Sequence, residues 1–258
     1  MGPTASAGEP TVLIVGNSLL LHSVVRSQLQ ESLAQRYAVE VFPIQGTTFL
    51  DWYFGLRGLF AHGSRPAVVI LCMNVGELIS NSTQGEMFAH DLMQMRDLPG
   101  VKELSGLDMM ATSNYFFANV SGWVGGRVNF RNAVLEKWVP HASLLAARFG
   151  QTVPTPITAT PAVMDRALAR LRMMQELCRG HGARFIMLIP PSLARADAAP
   201  SIAAGAAKEG ITVLVPYRPG EMPRTDFSDG FHLNQAGAAL FTGRLDAVLP
   251  SQLSSGAY

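Results

Sequence analysis

The chain is 258 residues long and 48% hydrophobic, enough to bury the core of a single large α/β domain. Its 20 basic residues nearly balance its 19 acidic ones, and a net charge of +1 leaves no basic footprint of the kind that captures nucleic acid or an anionic membrane surface. No window approaches the roughly 18 apolar residues of a membrane span, and Cys72 and Cys178 stand far apart in no metal-ligand spacing, so no disulfide framework, metal site or cofactor is expected.

Residues 1–10, MGPTASAGEP, hold no Lys or Arg and no apolar stretch, so they are not a secretory signal. Gly2 and Ser6 satisfy a myristoylation pattern, but a small-residue Gly-Pro leader reads more simply as a disordered tail or a cloning scar. The domain is expected over 11–250, with 251–258 as a tail. TVLIV at 11–15 is a short β-branched run suited to a parallel strand covered on both faces. After the turn Gly16-Asn17-Ser18, the residues Leu21, Val25, Leu29 and Leu33 recur at four-residue intervals and predict a helix over 19–36. A second strand is expected at 39–42, then a Gly-containing loop, IQGTTFLDW, and a third buried strand, AVVILCM, at 67–73. Strand and helix alternating in this way imply right-handed crossovers and a parallel sheet.

Residues 80–160, rich in Met, Gly and aromatic side chains, break the alternation and read as an insertion between the third and fourth strands, with short helical stretches such as 131–139. Such an insertion shapes a pocket, adds packing or makes an oligomer contact. Its tripeptides Asn81-Ser82-Thr83 and Asn119-Val120-Ser121 match a glycosylation pattern that chance also produces often. The alternation then resumes. Val163, Ala167, Leu168, Leu171, Met174 and Cys178 form one helical stripe over 162–179, ended by the Gly-rich RGHGA. RFIMLI at 184–189 is a strand stopped by Pro190-Pro191, an alanine-rich helix fills 196–208, and ITVLV at 211–215 is the last strand. DGFHLNQAGAALFTGRL opens a terminal helix.

Ser18 thus follows the first strand, Gly46 lies in the loop after the second, and Asp229 and His232 lie in the loop before the last helix. In a doubly wound sheet the loops after strand C-termini converge on one edge, so these residues can meet. Acyl transfer needs a hydroxyl nucleophile, an imidazole to take and return its proton, a group that orients the imidazole, and donors for the oxyanion. Ser18 supplies the first; His232 and Asp229, three residues apart around a turn, supply the next two. No Gly-x-Ser-x-Gly elbow occurs, which argues against an α/β-hydrolase fold. Each residue also has a plainer role open to it: Ser18 as a helix cap, and His232 as a helix-terminal histidine with Asp229 as the cap. His22, one helical turn past Ser18, either borders the pocket or, as a lone histidine, reads more simply as surface or packing, and His62, His90, His141 and His181 form no ligand spacing.

GNSLL after the first strand, IQGTT after the second and DGFHLN near the C-terminus resemble the blocks of the SGNH (GDSL-type) hydrolase superfamily, and the resemblance runs the length of the chain apart from 80–160. It implies a flavodoxin-like three-layer α/β/α sandwich with a mostly parallel sheet, and serine esterase or acyltransferase chemistry without a metal. By position it makes Ser18 the nucleophile and an oxyanion donor, Gly46 a backbone oxyanion donor, His232 the general base and Asp229 its partner. Two blocks depart from the family pattern. Asn17 stands where the first block usually has Asp, and the third block, Gly-x-Asn-Asp in the family, reads Cys72-Met73-Asn74-Val75. In that register Asn74 keeps the place of the third oxyanion donor, or it only ends the strand in a turn.

The leading expectation is a serine esterase that removes small acyl groups, above all acetyl, from a carbohydrate or a similar alcohol. A second is an acyltransferase acting on a polysaccharide. The atypical third block and the segment SNYFFANVSGWVGGRVNFRN resemble SGNH domains associated with bacterial surface-polysaccharide acylation, which implies a periplasmic or secreted setting with its signal or anchor removed. There Tyr115, Phe116, Phe117, Trp123 and Phe130 would stack on sugar rings or bury in a core. A third is a non-catalytic SGNH-like module that binds a glycan or a protein.

Overall fold

A computed structural model describes residues 9–121 and 156–254. The stretch expected as a helix at 131–139, together with Trp123, Phe130 and His141, lies outside the described residues, as do most of the leader and the last four residues of the tail. In chain order the elements are β1 (Thr11–Gly16), α1 (Ser18–Ser23), α2 (Arg26–Leu33), β2 (Ala38–Pro43), α3 (Phe49–Ala61), β3 (Val68–Cys72), α4 (Val75–Ile79), α5 (Glu86–Asp91), α6 (Leu98–Ser105), α7 (Met109–Val120), α8 (Pro161–Gly180), β4 (Arg184–Leu188), α9 (Ala199–Lys208), β5 (Thr212–Leu214) and α10 (Gln235–Ser254). The described residues of Met1–Gly46, Ser64–Ile79 and Val153–Tyr258 form one compact unit, and those of Thr47–Gly63 and Ser80–Thr152 form another.

The first unit is a five-stranded sheet of order β2-β1-β3-β4-β5, parallel at every pairing. Helices cover both of its faces, as expected of a three-layer α/β/α sandwich. Alternation along the strands sends Val12, Ile14, Val68, Ile70, Ile186 and Leu188 to one face, where they pack with Leu20, Leu29, Phe241, Leu245 and Leu249 of α1, α2 and α10. The alternate residues Val69, Leu71, Phe185 and Met187 are equally buried on the other face, the side on which α8 lies over β4 and α9 over β5. Crossovers that return each strand parallel to its neighbour put helices on both sides, which is why these strands read as continuous apolar runs.

The helix expected over 19–36 is two helices. Val24 and Val25 both take extended backbone angles between α1 and α2. Adjacent β-branched residues are poor helix formers, and the Val25 N–H finds a partner outside α1 and α2, the Thr242 Oγ1 of α10 at 2.9 Å. The break shifts the helical phase, so Leu21, expected on the buried stripe, is 46% exposed while its neighbour Leu20 is fully buried.

In the second unit, α3 opens on a reciprocal cap. The Thr48 N–H donates to Asp51 Oδ2 at 2.7 Å, and the Gln84 N–H donates to Asp51 Oδ1 at 2.9 Å. Tyr115 on α7 is buried, whereas Phe116 and Phe117 are 43% and 56% exposed.

Candidate active site

Parallel register brings three strand ends side by side. Gly16, the last residue of β1, is paired with Pro43 of β2 and with Cys72 of β3, so Ser18, Gly46 and Asn74 all lie a few residues beyond the same edge. Gly16 has no substitute, because a Cβ there would sit 2.3 Å from the Cys72 carbonyl oxygen. Asn17 then caps α1, its Oδ1 accepting the Leu19 N–H at 2.9 Å. The cap is therefore Asn17 and not Ser18, which leaves the Ser18 hydroxyl for another partner. Gly46 occupies the exposed turn after β2 with φ of 73°, a left-handed angle that favours glycine.

The partner of Ser18 comes from the loop ahead of α10. A Phe227–Leu233 bridge closes this loop, the Ser228 N–H donates to the His232 carbonyl, and Asn234 caps α10 through the Gly237 N–H at 3.0 Å. Inside it, Asp229 Oδ1 accepts the backbone N–H groups of Phe231 and His232 at 2.8 and 2.7 Å, and Oδ2 lies 2.7 Å from His232 Nδ1. His232 Nε2 lies 2.9 Å from Ser18 Oγ. An ionised carboxylate only accepts, so Nδ1 carries its proton toward Asp229 and Nε2 is left to accept the Ser18 O–H. Partial burial by itself raises the Asp229 carboxyl, but the His232 backbone N–H, the His232 ring and the Phe231 N–H together hold it down at about 2. Asp229 is thus an anion throughout the neutral range.

The His232 ring contacts those of Phe231 and His22, with centroids 4.8 Å apart in both pairs. Of the two places open to His22 in the sequence, the pocket border and surface packing, the contact with His232 matches the first. Burial, joined by the like charge of His232 and opposed by Asp229, lowers its pKa, which favours the neutral ring.

Asn74 stands just before α4, and its side chain has a second task as the cap of that helix. Asn74 Oδ1 accepts the Glu77 N–H at 2.8 Å, while Glu77 Oε2 accepts the Asn74 N–H at 3.1 Å, the reciprocal pattern of a capping box. The Asn17 side chain also bonds the Glu77 carboxylate. Glu77 went unrecognised as a site residue in the sequence, although Asn-x-x-Glu after a strand is the signature of such a cap. The two residues that depart from the family block are both accommodated: Cys72 packs in the core and Val75 opens α4.

Next to Asn74 and Phe231 lies a cavity of about 80 Å³ lined mainly by apolar side chains, among them Leu19, Val75, Ile157, Ile189 and Val215. Among the described residues, no group of three or more His, Cys, Asp or Glu side chains is placed to hold a metal ion, and no helix is long and apolar enough to cross a membrane.

No family model matches the chain, and no curated protein matches it in sequence. Among solved structures it is similar to TesA, with 15% identity over 93% of this chain and 98% of that one and a TM-score of 0.45. It is also similar to a catalytic mutant of Axe2, an acetylxylan esterase from Geobacillus stearothermophilus, with 11% identity over 97% and 96% of the two chains and a TM-score of 0.46. A member of the lipolytic protein G-D-S-L family from Veillonella parvula DSM 2008 gives 10% identity over 93% and 98%, with a TM-score of 0.40.

Proposed function

We propose that this chain is an SGNH-type serine ester hydrolase that removes small acyl groups, acetyl foremost, from a carbohydrate or similar alcohol. The observation that carries the reading is the unbroken hydrogen-bond line from Ser18 Oγ through His232 to Asp229. In the reaction, the Ser18 oxygen attacks the ester carbonyl carbon as its proton passes to His232 Nε2. The carbonyl oxygen becomes an oxyanion facing the Ser18 and Gly46 N–H groups and the Asn74 side-chain amide. Collapse breaks the bond to the alkoxy oxygen, which leaves as an alcohol with the proton from His232. Water, deprotonated by the same imidazole, then attacks the acyl-enzyme, releasing the acid and restoring Ser18. Asp229 fixes the tautomer and stabilises the imidazolium. The small volume of the cavity beside Asn74 and its apolar lining support a short acyl group.

The test is the time course of p-nitrophenyl acetate cleavage by the intact protein and by Ser18→Ala, with mass spectrometry of early samples. Steady turnover that is lost in Ser18→Ala is the expected result. A single burst that leaves acetyl on Ser18 would instead assign the chain as an acyltransferase awaiting an acceptor hydroxyl. Neither turnover nor adduct would overturn the enzymatic reading in favour of a binding module.

A further inference from the structure

Glu77 contacts both asparagines of the site. Its Oε2 accepts the Asn74 N–H, its own N–H donates to Asn74 Oδ1, and its carboxylate bonds the Asn17 side chain. Those contacts settle the orientation of two amides. Asn17 Oδ1 is occupied by the Leu19 N–H, so the group that Asn17 offers an acceptor-only carboxylate is its NH₂. Asn74 Oδ1 is occupied by the Glu77 N–H, which leaves the Asn74 NH₂ to donate elsewhere. Asn17 immediately precedes Ser18 and is 1% exposed, so a mismatched pair at this contact would disturb the turn that carries the nucleophile. On the far side, Arg170 of α8 donates to the Leu78 carbonyl at 2.6 Å, holding α4 from its other end.

We propose that Glu77 is a positioning residue of the ester-cleaving site, bridging the Ser18 turn to the β3 loop so that Asn74 presents its amide to the oxyanion, and that it dictates an amide at position 17. This rests on the esterase reading above. A carboxylate at position 17 would face the Glu77 carboxylate, and two anions at one buried contact repel. Among the described residues, the charge of Glu77 also reaches the buried Cys72 thiol, and His232 acts on the Glu77 carboxyl. Burial pushes the Glu77 carboxyl up, opposed by the bonds from Asn17 and Asn74 and by His232.

The pair lends itself to a swap of donor and acceptor. When Asn17→Asp is combined with Glu77→Gln, the carboxylate introduced at position 17 still accepts the Leu19 N–H. The amide introduced at position 77 donates its NH₂ to that carboxylate, and its oxygen accepts the Asn74 N–H. The experiment measures kcat and KM on p-nitrophenyl acetate and the melting temperature for the wild type, Glu77→Gln, Asn17→Asp, the double variant and Ser18→Ala. Each single substitution at positions 17 and 77 is expected to lower kcat by between about tenfold and the roughly hundred- to thousandfold of a lost oxyanion donor, with KM changed little. The double variant is expected to recover both kcat and melting temperature beyond either single variant. Single variants with wild-type kcat, or a double variant whose losses are the product of the two, would overturn the proposal while leaving the esterase reading intact. Wild-type cleavage no faster than that of Ser18→Ala would overturn both.

Discussion

His232 Nε2 lies 2.9 Å from Ser18 Oγ across a sequence separation of 214 residues. The contact exists because Ser18 is the first residue of a helix capped by its neighbour, while His232 stands on a loop locked by Asp229 from within. Two rigid local structures, each built from a handful of adjacent residues, meet at one hydrogen bond.

The tightness of the Asp229 loop sets the first expectation. Asp229→Asn keeps an oxygen for the Phe231 and His232 N–H groups but turns an NH₂ toward His232 Nδ1, stabilising the wrong tautomer. Turnover of p-nitrophenyl acetate should fall by about 10⁴-fold, the scale of that substitution in other triads, with an unchanged circular dichroism spectrum. A loss below about tenfold would mean that Asp229 does not orient the imidazole.

Asn74 is both a helix cap and a candidate oxyanion donor, and Asn74→Ser separates the two. Serine still accepts the Glu77 N–H as a cap but has no amide to present. Stability should change little while kcat falls by on the order of 10² to 10³ at nearly constant KM, because the donor acts in the transition state. An equal fall in kcat and melting temperature would assign Asn74 to the cap alone.

Thr242 is fully buried, accepts the Val25 N–H and donates to the Ala238 carbonyl at 2.8 Å. Thr242→Val keeps the shape and removes the acceptor, so the Val25 N–H at the α1–α2 break loses its partner. The expected loss is about 1–3 kcal/mol, read as a lower urea midpoint at constant slope.

Two carboxylates give stability opposite dependences on pH. Burial raises Asp51 to about 6 against the bonds from Gln84 and Thr48. Its folded form therefore binds a proton more tightly than the unfolded chain, and its contribution is greatest below about pH 4 and is lost as pH rises through 6. Asp229, held at about 2, contributes stability above about pH 4 that is lost as pH falls through 2, reduced by screening at its partly exposed position. Urea midpoints between about pH 4 and pH 7 should flatten in Asp51→Asn, and an unchanged slope would show that Asp51 does not titrate there.

Much of the fold is legible in the sequence because its signals are local. The runs at 11–15, 39–42, 67–73, 184–189 and 211–215 coincide with β1 to β5 to within a residue or two; the central strands β1, β3 and β4 lie mostly buried, and a strand covered on both faces must be apolar wherever the rest of the chain goes. The turn at Gly16-Asn17-Ser18 and the Asp-x-x-His spacing are equally local. What the sequence could not reveal depends on partners brought from far away. The break at Val24–Val25 is completed by Thr242, 217 residues on from Val25; the adjacent β-branched pair only weakens the helix there, and the period-four pattern of Leu and Val runs through it unbroken. In the same way Glu77 looks like a helix cap until the β1 and β3 ends lie side by side and Asn17 reaches it. The sequence by itself determined which residues stand at the strand ends; only the tertiary structure decided which of them share a proton or a hydrogen bond, because those contacts form between segments that nothing but the parallel register of the sheet brings together.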